Sequence, residues 1–122
     1  MTSVEIRRVE TNKKQYLALL LLADEQEDMI DRYLERGSMY VLEDDGVKAE
    51  CVVTDEGGGV LELKNIAVEP DFQGKGYGKA LVDFLIRTYA GQYMLLQVGT
   101  GDSPSTLSLI HISEPTRPEP IS

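Results

Sequence analysis

The sequence has few of the residues and segments that define several large classes of protein. It contains one cysteine, Cys51, which excludes an internal disulfide framework and a multi-cysteine metal site, so a reducing, cytoplasmic location is expected. The longest apolar run, residues 16–23, is too short to span a bilayer. The first ten residues lack the basic start and apolar stretch of a secretory signal. We therefore expect no metal and no membrane partner.

Basic residues are also scarce. Lys and Arg number 12 against 21 Asp and Glu, which gives a formal net charge of -9. Because a nucleic-acid partner requires a basic face on the protein, this balance argues against one. An acidic surface suits a cationic amine better, although an excess of acidic residues often serves solubility alone.

What is present is typical of one globular α+β domain, with 42% apolar and 27% charged residues. Apolar spacing predicts, in order, a strand at 4–10, helices at 12–22 and 24–37, strands at 38–46, 47–59 and 60–70, a helix at 78–91 and a strand at 93–100. Tight turns between the three middle strands predict an antiparallel meander. The last strand follows a right-handed crossover, so it is expected to lie parallel to the third meander strand.

Cys51 lies within the second meander strand. Alternation places it on one face of that strand with Val47, Ala49 and Val53, all of them apolar. We therefore expect Cys51 to be a buried packing residue, with a nucleophilic thiol as the alternative.

The segment PDFQGKGYGKAL, residues 70–81, places three glycines within five residues between a strand and a helix. Its spacing fails the Walker motif, because Ala80 follows Gly78-Lys79 where Ser or Thr is required. It also fails the dinucleotide fingerprint, in which a third glycine follows the second by three residues. The spacing that fits is Gln-x-x-Gly-x-Gly, formed by Gln73, Gly76 and Gly78.

This spacing suits a pyrophosphate group. The first N–H groups of a helix have no intrahelical partner, and the helix dipole adds about half a positive charge there. Glycines let phosphate oxygens reach those N–H groups without meeting Cβ atoms. Lys75 and Lys79 supply positive charge in an otherwise acidic chain. The alternative is a glycine turn that caps the helix and binds no ligand.

The stretch LELKNIAVEPDFQGKGYGKALVDFL, residues 61–85, resembles the central motif of the GNAT superfamily of acyl-CoA-dependent N-acyltransferases. The order of predicted elements matches that fold from its first strand to its fifth, over about residues 4–106. The resemblance implies acetyl-CoA as co-substrate and direct attack of a primary amine, on a small molecule or peptide, within a ternary complex. The alternative is a CoA-binding or interaction module without turnover. The oligomeric state is open, with a homodimer among the options.

The resemblance also implies where the cofactor lies. The pantetheine arm is expected to pair with the backbone of Ile66, Ala67 and Val68, as an added strand would, and an N–H near Val68 is expected to hold the acyl oxygen. The pyrophosphate is expected on the backbone of the loop and helix start. These positions are Gln73, Gly74, Lys75, Gly76, Tyr77, Gly78 and Lys79.

Glu62 matches the position of a glutamate that some family members use as the base, directly or through water. Simple alternation places it on the same face as Lys64, Ile66 and Val68, so it is predicted to point toward the acetyl-binding side. The alternative is an outward-facing strand glutamate without a catalytic role.

The end of the chain departs from the family pattern. The tyrosine segment that supplies the general acid in much of the family is missing after residue 106, as are the last helix and two strands. Residues 107–117 instead match an in-frame translation of a transposon-end adaptor used for short-read sequencing libraries, and Ile121-Ser122 fit its continuation. We expect a truncated GNAT domain at 1–106 and a non-native tail at 107–122, with a natural proline-rich tail as the alternative. His111 therefore receives no catalytic role.

Resequencing the source gene tests this expectation about the tail. Adaptor read-through predicts that the genomic sequence diverges from this chain at about residue 107. An open reading frame that encodes residues 107–122 would contradict it.

Overall fold

The computed structural model of the protein describes residues 4–98 and the strand at 105–108. One six-stranded sheet has the order β1-β2-β3-β4-β5-β6. Its strands are Glu5–Val9 (β1), Ser38–Glu43 (β2), Val47–Gly57 (β3), Val60–Val68 (β4), Leu95–Val98 (β5) and Ser105–Ser108 (β6). The α-helices of this part of the chain are Leu17–Ala23 (α1), Glu27–Asp31 (α2) and Tyr77–Tyr89 (α3).

The strand directions follow the predicted topology. β1 to β4 pair antiparallel, and β4 pairs with β5 in parallel across the α3 crossover. The predicted α+β class and the order of the first five strands are confirmed. β6, which pairs antiparallel with β5, was not predicted. The predicted domain boundary at residue 106 falls inside β6, whereas residues 109–122, including His111, lie outside the described residues, so the origin of the tail stays a prediction.

Helix α3 covers one face of the sheet. Its spacing of apolar residues four apart places Leu81 and Leu85 at full burial against the strands. The buried strand residues of this cluster are Tyr40, Leu42, Ala49, Cys51, Val53, Leu61, Leu63 and Leu96. Cys51 is a free, fully buried thiol, as predicted, and burial raises its pKa well above the ordinary value. Val47, predicted on this face, packs against the other cluster because the β2–β3 register shifts near Glu43.

The two short helices α1 and α2 cover the opposite face. Their buried cluster contains Val9, Leu20, Ile30, Tyr33, Leu34, Met39, Val41 and Val52. The sheet therefore lies between two apolar layers, one on each face, which is how an α+β domain buries both sides of its central strands.

The second predicted helix is much shorter than its apolar spacing indicated. The α-helical part is Glu27–Asp31, and turns follow it to Gly37. The side chain of the buried Lys13 caps the end of this segment. Its Nζ donates to the carbonyl oxygens of Leu34 at 2.9 Å, Glu35 at 3.3 Å and Gly37 at 2.7 Å. Lys13 belongs to a 3-10 turn at Lys13–Tyr16 and thus satisfies backbone groups that a continuing helix would have paired internally.

Strand β4 contains an irregularity beside its centre. In its ladder with β3, Val53 lies opposite Leu63 but Val52 lies opposite Asn65, so Lys64 has no partner residue. One extra residue in a strand reverses the alternation of side chains across it. Residues of β4 before Lys64 and after it therefore do not follow one simple alternation.

Replacement of Lys13 by Met tests the role of its ammonium group. Lys13→Met keeps much of the buried apolar stem but leaves three carbonyl oxygens without their donor. We expect the free energy of unfolding to fall by about 1–3 kcal/mol, measured by urea denaturation. The control is Lys14→Met, whose exposed ion pairs with Glu27 and Asp31 are surface contacts that contribute little. An equal loss in both variants would contradict the capping role.

Candidate active site

A cleft of about 300 Å³ lies where β4, the loop after it and α3 meet. Its lining residues are Leu22, Ile66, Ala67, Val68, Gln73 and Gly78. Five of these six are positions that the sequence singled out for the cofactor, so the tertiary structure does bring them together. The sequence did not single out Leu22. It lies near the end of α1, and although its side chain is apolar it is 49% exposed.

The backbone of β4 is open along part of its second edge. β4 pairs with β5 from Val60 to Leu63 only. Toward Val68, no described strand pairs with that edge, while the opposite edge stays bonded to β3. An unpaired strand edge presents N–H and C=O groups that an extended ligand can bind as an added strand.

The glycine loop has a backbone conformation that is unfavourable for residues with a Cβ atom. Gly74 and Gly76 have φ values of +82° and +88°, in the left-handed region that glycine favours. Gly78 is different, because it is helical and a Cβ placed there would meet only Val68 Cγ2, at 3.7 Å. Its missing side chain is therefore not required by the protein's own packing. It leaves space in the cleft that Gly78 lines.

Two side chains of the loop form hydrogen bonds that fix the loop to neighbouring parts of the sheet. Gln73 Nε2 donates to the carbonyl oxygen of Val68 at 3.1 Å, which ties the loop to the end of β4. The Tyr77 hydroxyl donates to the carboxylate of Asp44, in the turn between β2 and β3. Both predicted residues thus anchor the loop through their side chains, and their backbone groups are what remains for a ligand.

The start of α3 supplies the electrostatic part of the site. α3 has Gly76 as its N-cap without a side-chain cap, and its first backbone N–H groups have no partner inside the helix. Lys75 is exposed beside this terminus. Lys79 is also exposed, and its Nζ lies 2.9 Å from a carboxylate oxygen of Asp83. The helix start and the loop together form a concave donor surface that suits a phosphate group.

Glu62 does not face the way that alternation predicted. The extra residue at Lys64 places Glu62 opposite Thr54, on the face covered by α1 and α2, whereas Ile66 lies opposite Cys51 on the α3 face. The prediction that Glu62 shares a face with Ile66 and Val68 is therefore wrong, and the β-bulge is the cause. Its side chain is 17% exposed.

The carboxylate of Glu62 has two polar neighbours. Lys64 Nζ lies 3.3 Å from one of its oxygens, and Gln97 Nε2 donates to the other at 3.4 Å. Gln97 belongs to β5, directly opposite Glu62 in the parallel ladder. Glu62 therefore sits across the last paired stretch of β4 and β5, next to the point where the two strands stop pairing.

A second carboxyl group on the same face was missed by the sequence reasoning. Glu50 lies in β3 opposite Ala67, and it is fully buried. Neither of its carboxyl oxygens has a hydrogen-bond partner among the described residues. Burial raises the pKa of this carboxyl from 4.5 to about 8. The available signal was an acidic residue in the middle of an otherwise apolar strand, which is rare without a specific reason.

A strand whose second edge opens beside a glycine loop and a helix start is the arrangement expected of an acyltransferase fold. The chain belongs to the GNAT acetyltransferase family: the family model for the acetyltransferase (GNAT) domain matches residues 35–108.

Within the described residues, no group of three or more His, Cys, Asp or Glu is placed to hold a metal ion. Among the described helices, none has the length and apolar character needed to cross a membrane.

Relatives of known sequence and structure agree with this assignment. The uncharacterized N-acetyltransferase YvbK of Bacillus subtilis strain 168 is 38% identical over 96 residues, which are 77% of this chain and 61% of YvbK. This chain thus spans less than two thirds of that relative's length. An IAA acetyltransferase from Bacillus cereus ATCC 14579 matches with a TM-score of 0.74 at 40% identity, over 83% of this chain and 68% of that one.

Two other solved relatives carry the cofactor. A GNAT family acetyltransferase from Elizabethkingia anophelis with acetyl-CoA bound has a TM-score of 0.76 at 31% identity, covering 82% of this chain and 67% of its own. A Bacillus subtilis acetyltransferase in complex with CoA has a TM-score of 0.73 at 34% identity, covering 83% and 68%.

Replacement of Gly78 by Ala separates packing from ligand binding. Because Gly78 is the second residue of α3 and has space beside it, Gly78→Ala should keep the fold without loss of stability. We expect the added methyl group to weaken CoA binding at least tenfold, measured by calorimetry. Thr88→Ala, near the far end of α3, is the control and should bind CoA as the wild type does. Unchanged affinity in Gly78→Ala would show that the space is not used.

The buried Glu50 predicts how stability depends on pH. The folded state keeps its proton up to about pH 8, whereas the unfolded state loses it near pH 4.5. The folded state therefore binds more protons between these values, so the free energy of unfolding should fall as pH rises from 4.5 to 8, by roughly 2–5 kcal/mol.

The measurement is urea denaturation of the wild type and Glu50→Gln at pH 5, 6, 7 and 8. The glutamine variant should lose most of the decline across this window. A matched exchange at the exposed Glu5 controls for the removal of one acidic side chain. Parallel curves for the wild type and Glu50→Gln would contradict the raised pKa.

Proposed function

We propose that the intact protein is an N-acetyltransferase that moves an acetyl group from acetyl-CoA to a primary amine of a small molecule or peptide. The observation that carries this proposal is the cleft at the open end of β4, which joins a strand edge, a positive-φ glycine turn and a helix start. The solved relatives with CoA or acetyl-CoA support it. Because this chain spans 61% of YvbK, the activity concerns the whole protein rather than this chain alone.

The residues present fit the proposed co-substrate. Ile66, Ala67 and Val68 offer the open backbone edge for the pantetheine arm, which binds as a short added strand. The pyrophosphate fits the N–H groups from Gly74 to Lys79, where Gly78 leaves room and Lys75 adds charge. When bound, acetyl-CoA supplies an activated acetyl thioester.

The chemistry proposed for this chain is proton transfer and charge stabilisation. Glu62 accepts a proton from the acceptor ammonium, directly or through water, so that the neutral nitrogen attacks the thioester carbonyl carbon. The backbone N–H near Val68 donates to the acyl oxygen as negative charge develops there. A carbon–nitrogen bond forms and the carbon–sulfur bond breaks. The nitrogen gives up its second proton to solvent, and the thiolate takes up a proton. The acid that supplies this proton is expected outside residues 4–98.

The proposal is tested first by binding and then by turnover. Calorimetry with CoA measures the cofactor site in the present chain. Release of free thiol from acetyl-CoA, measured with a panel of primary amines after the chain has been extended by the family's C-terminal elements, measures the activity. CoA binding without thiol release would favour a binding module without turnover. A folded protein without CoA affinity would exclude both functions.

Replacement of Glu62 by Gln tests the base in the extended enzyme. Because general base catalysis contributes about 100-fold or more, Glu62→Gln should lower kcat by at least that factor and leave the Kd of CoA unchanged. Glu56→Gln is a matched control, since Glu56 also lies near Lys64, at 4.0 Å. If both variants lose activity equally, the shared lysine rather than Glu62 is responsible.

A further inference from the structure

Three buried oxygen atoms share one region of the sheet and have no hydrogen-bond partner among the described residues. They are Glu50 Oε1, Glu50 Oε2 and Asn65 Oδ1. Buried polar atoms in folded proteins are nearly all hydrogen-bonded, so three unpartnered acceptors together call for a specific donor. Two of them belong to a carboxyl group, which is costly to bury in its ionised form without a partner.

The strand register places both residues next to the cleft. Glu50 lies opposite Ala67 and Asn65 lies opposite Val52, so Glu50 and Asn65 are diagonal neighbours on the face covered by α1 and α2. Ala67, the ladder partner of Glu50, lines the cleft and has only a methyl side chain. Glu62 lies on this same face, nearer to β5.

Hydrogen bonds among the described residues orient the Asn65 amide but supply no donor to the three oxygens. Asn65 Nδ2 donates to the carbonyl oxygen of Leu20 and to the Tyr33 hydroxyl, both at 3.0 Å, which sets the direction of its amide. The Tyr33 hydroxyl in turn donates to a carboxylate oxygen of Asp24 at 3.3 Å. No ion pair to Glu50 occurs within residues 4–98. A ligand that carries N–H donors can satisfy these oxygens.

We propose that Glu50 and Asn65 bind the ammonium group of the acceptor amine. This inference rests on the proposed function and names its acceptor-binding residues. A primary ammonium carries three N–H donors and one positive charge, which match three acceptor oxygens and one buried carboxyl group. Glu50 binds it as a carboxylate and releases its proton to solvent.

The position suits the proposed reaction. Ala67 lies between Ile66 and Val68, whose backbone is the proposed site of the acyl arm, so an ammonium held by Glu50 lies beside the thioester. Leu22 and Ala67 give this part of the cleft an apolar lining, which favours a compact alkylammonium group over a large polar one. Glu62 lies on the same face at the level of Thr54, four positions from Glu50 along β3, so it takes the proton before attack through water.

Direct binding tests this proposal without requiring turnover. The probe is n-propylammonium chloride, with n-propanol as its uncharged isostere, titrated into the CoA-saturated chain. Nitrogen-resolved NMR follows the side-chain amide of Asn65. We expect n-propylammonium to shift this resonance saturably, and n-propanol to leave it unchanged. An equal response to both probes, or none to either, would overturn the proposal.

Variants at Glu50 separate an acceptor site from a merely structural carboxyl group. Glu50→Gln and Glu50→Leu should weaken n-propylammonium binding at least tenfold and keep CoA binding at the wild-type level. Glu50→Leu should also raise Tm by about 3 °C or more, because it removes a buried carboxyl that lacks a partner. Glu43→Gln, an exchange on the neighbouring strand, controls for loss of one negative charge.

These outcomes test the acceptor site at Glu50 separately from the proposed function. Unchanged n-propylammonium affinity in either Glu50 variant overturns the inference. A fall of Tm in both variants, with amine binding intact, assigns Glu50 to the fold instead. Failure of the wild type to bind CoA counts against the proposed function, whatever the amine result.

Discussion

The arrangement of the site depends on where β4 stops pairing with β5. Parallel pairing ends at Leu63, and Lys64 is the extra residue that breaks the register with β3. Beyond this point one edge of β4 keeps its ladder and the other is open among the described residues. An open strand edge normally binds without specificity, because any extended chain can pair with it. Here it faces a cleft rather than a flat surface, which limits what can bind.

The glycine loop and α3 complete the cleft through backbone groups. Gly74 and Gly76 hold the turn in left-handed conformations, and the anchors from Gln73 and Tyr77 fix its position. A loop restrained in this way loses little further conformational entropy when a ligand binds. The side chains thus shape the loop, while the unpaired N–H groups at the start of α3 provide the recognition.

The two faces of the sheet differ in chemistry as well as in cover. The α3 face is built from aliphatic and aromatic side chains and contains the buried Cys51. The face under α1 and α2 carries Glu50, Asn65 and Glu62 beside its apolar cluster. Polar groups that weaken a core are retained most readily where they serve a site. This face is therefore where the reaction chemistry is concentrated in the proposed function.

The sequence by itself determined the class of fold, the order of its first five strands, the parallel crossover and the glycine loop, because these depend on local periodicity and fixed spacing. It did not determine the face of Glu62, the length of α2 or that Glu50 has no hydrogen-bond partner among the described residues. A β-bulge shifts alternation by one residue, and the contact of Lys13 with the carbonyl groups after α2 joins residues more than twenty positions apart. Such effects arise only when distant segments pack together, so only the tertiary structure decided them.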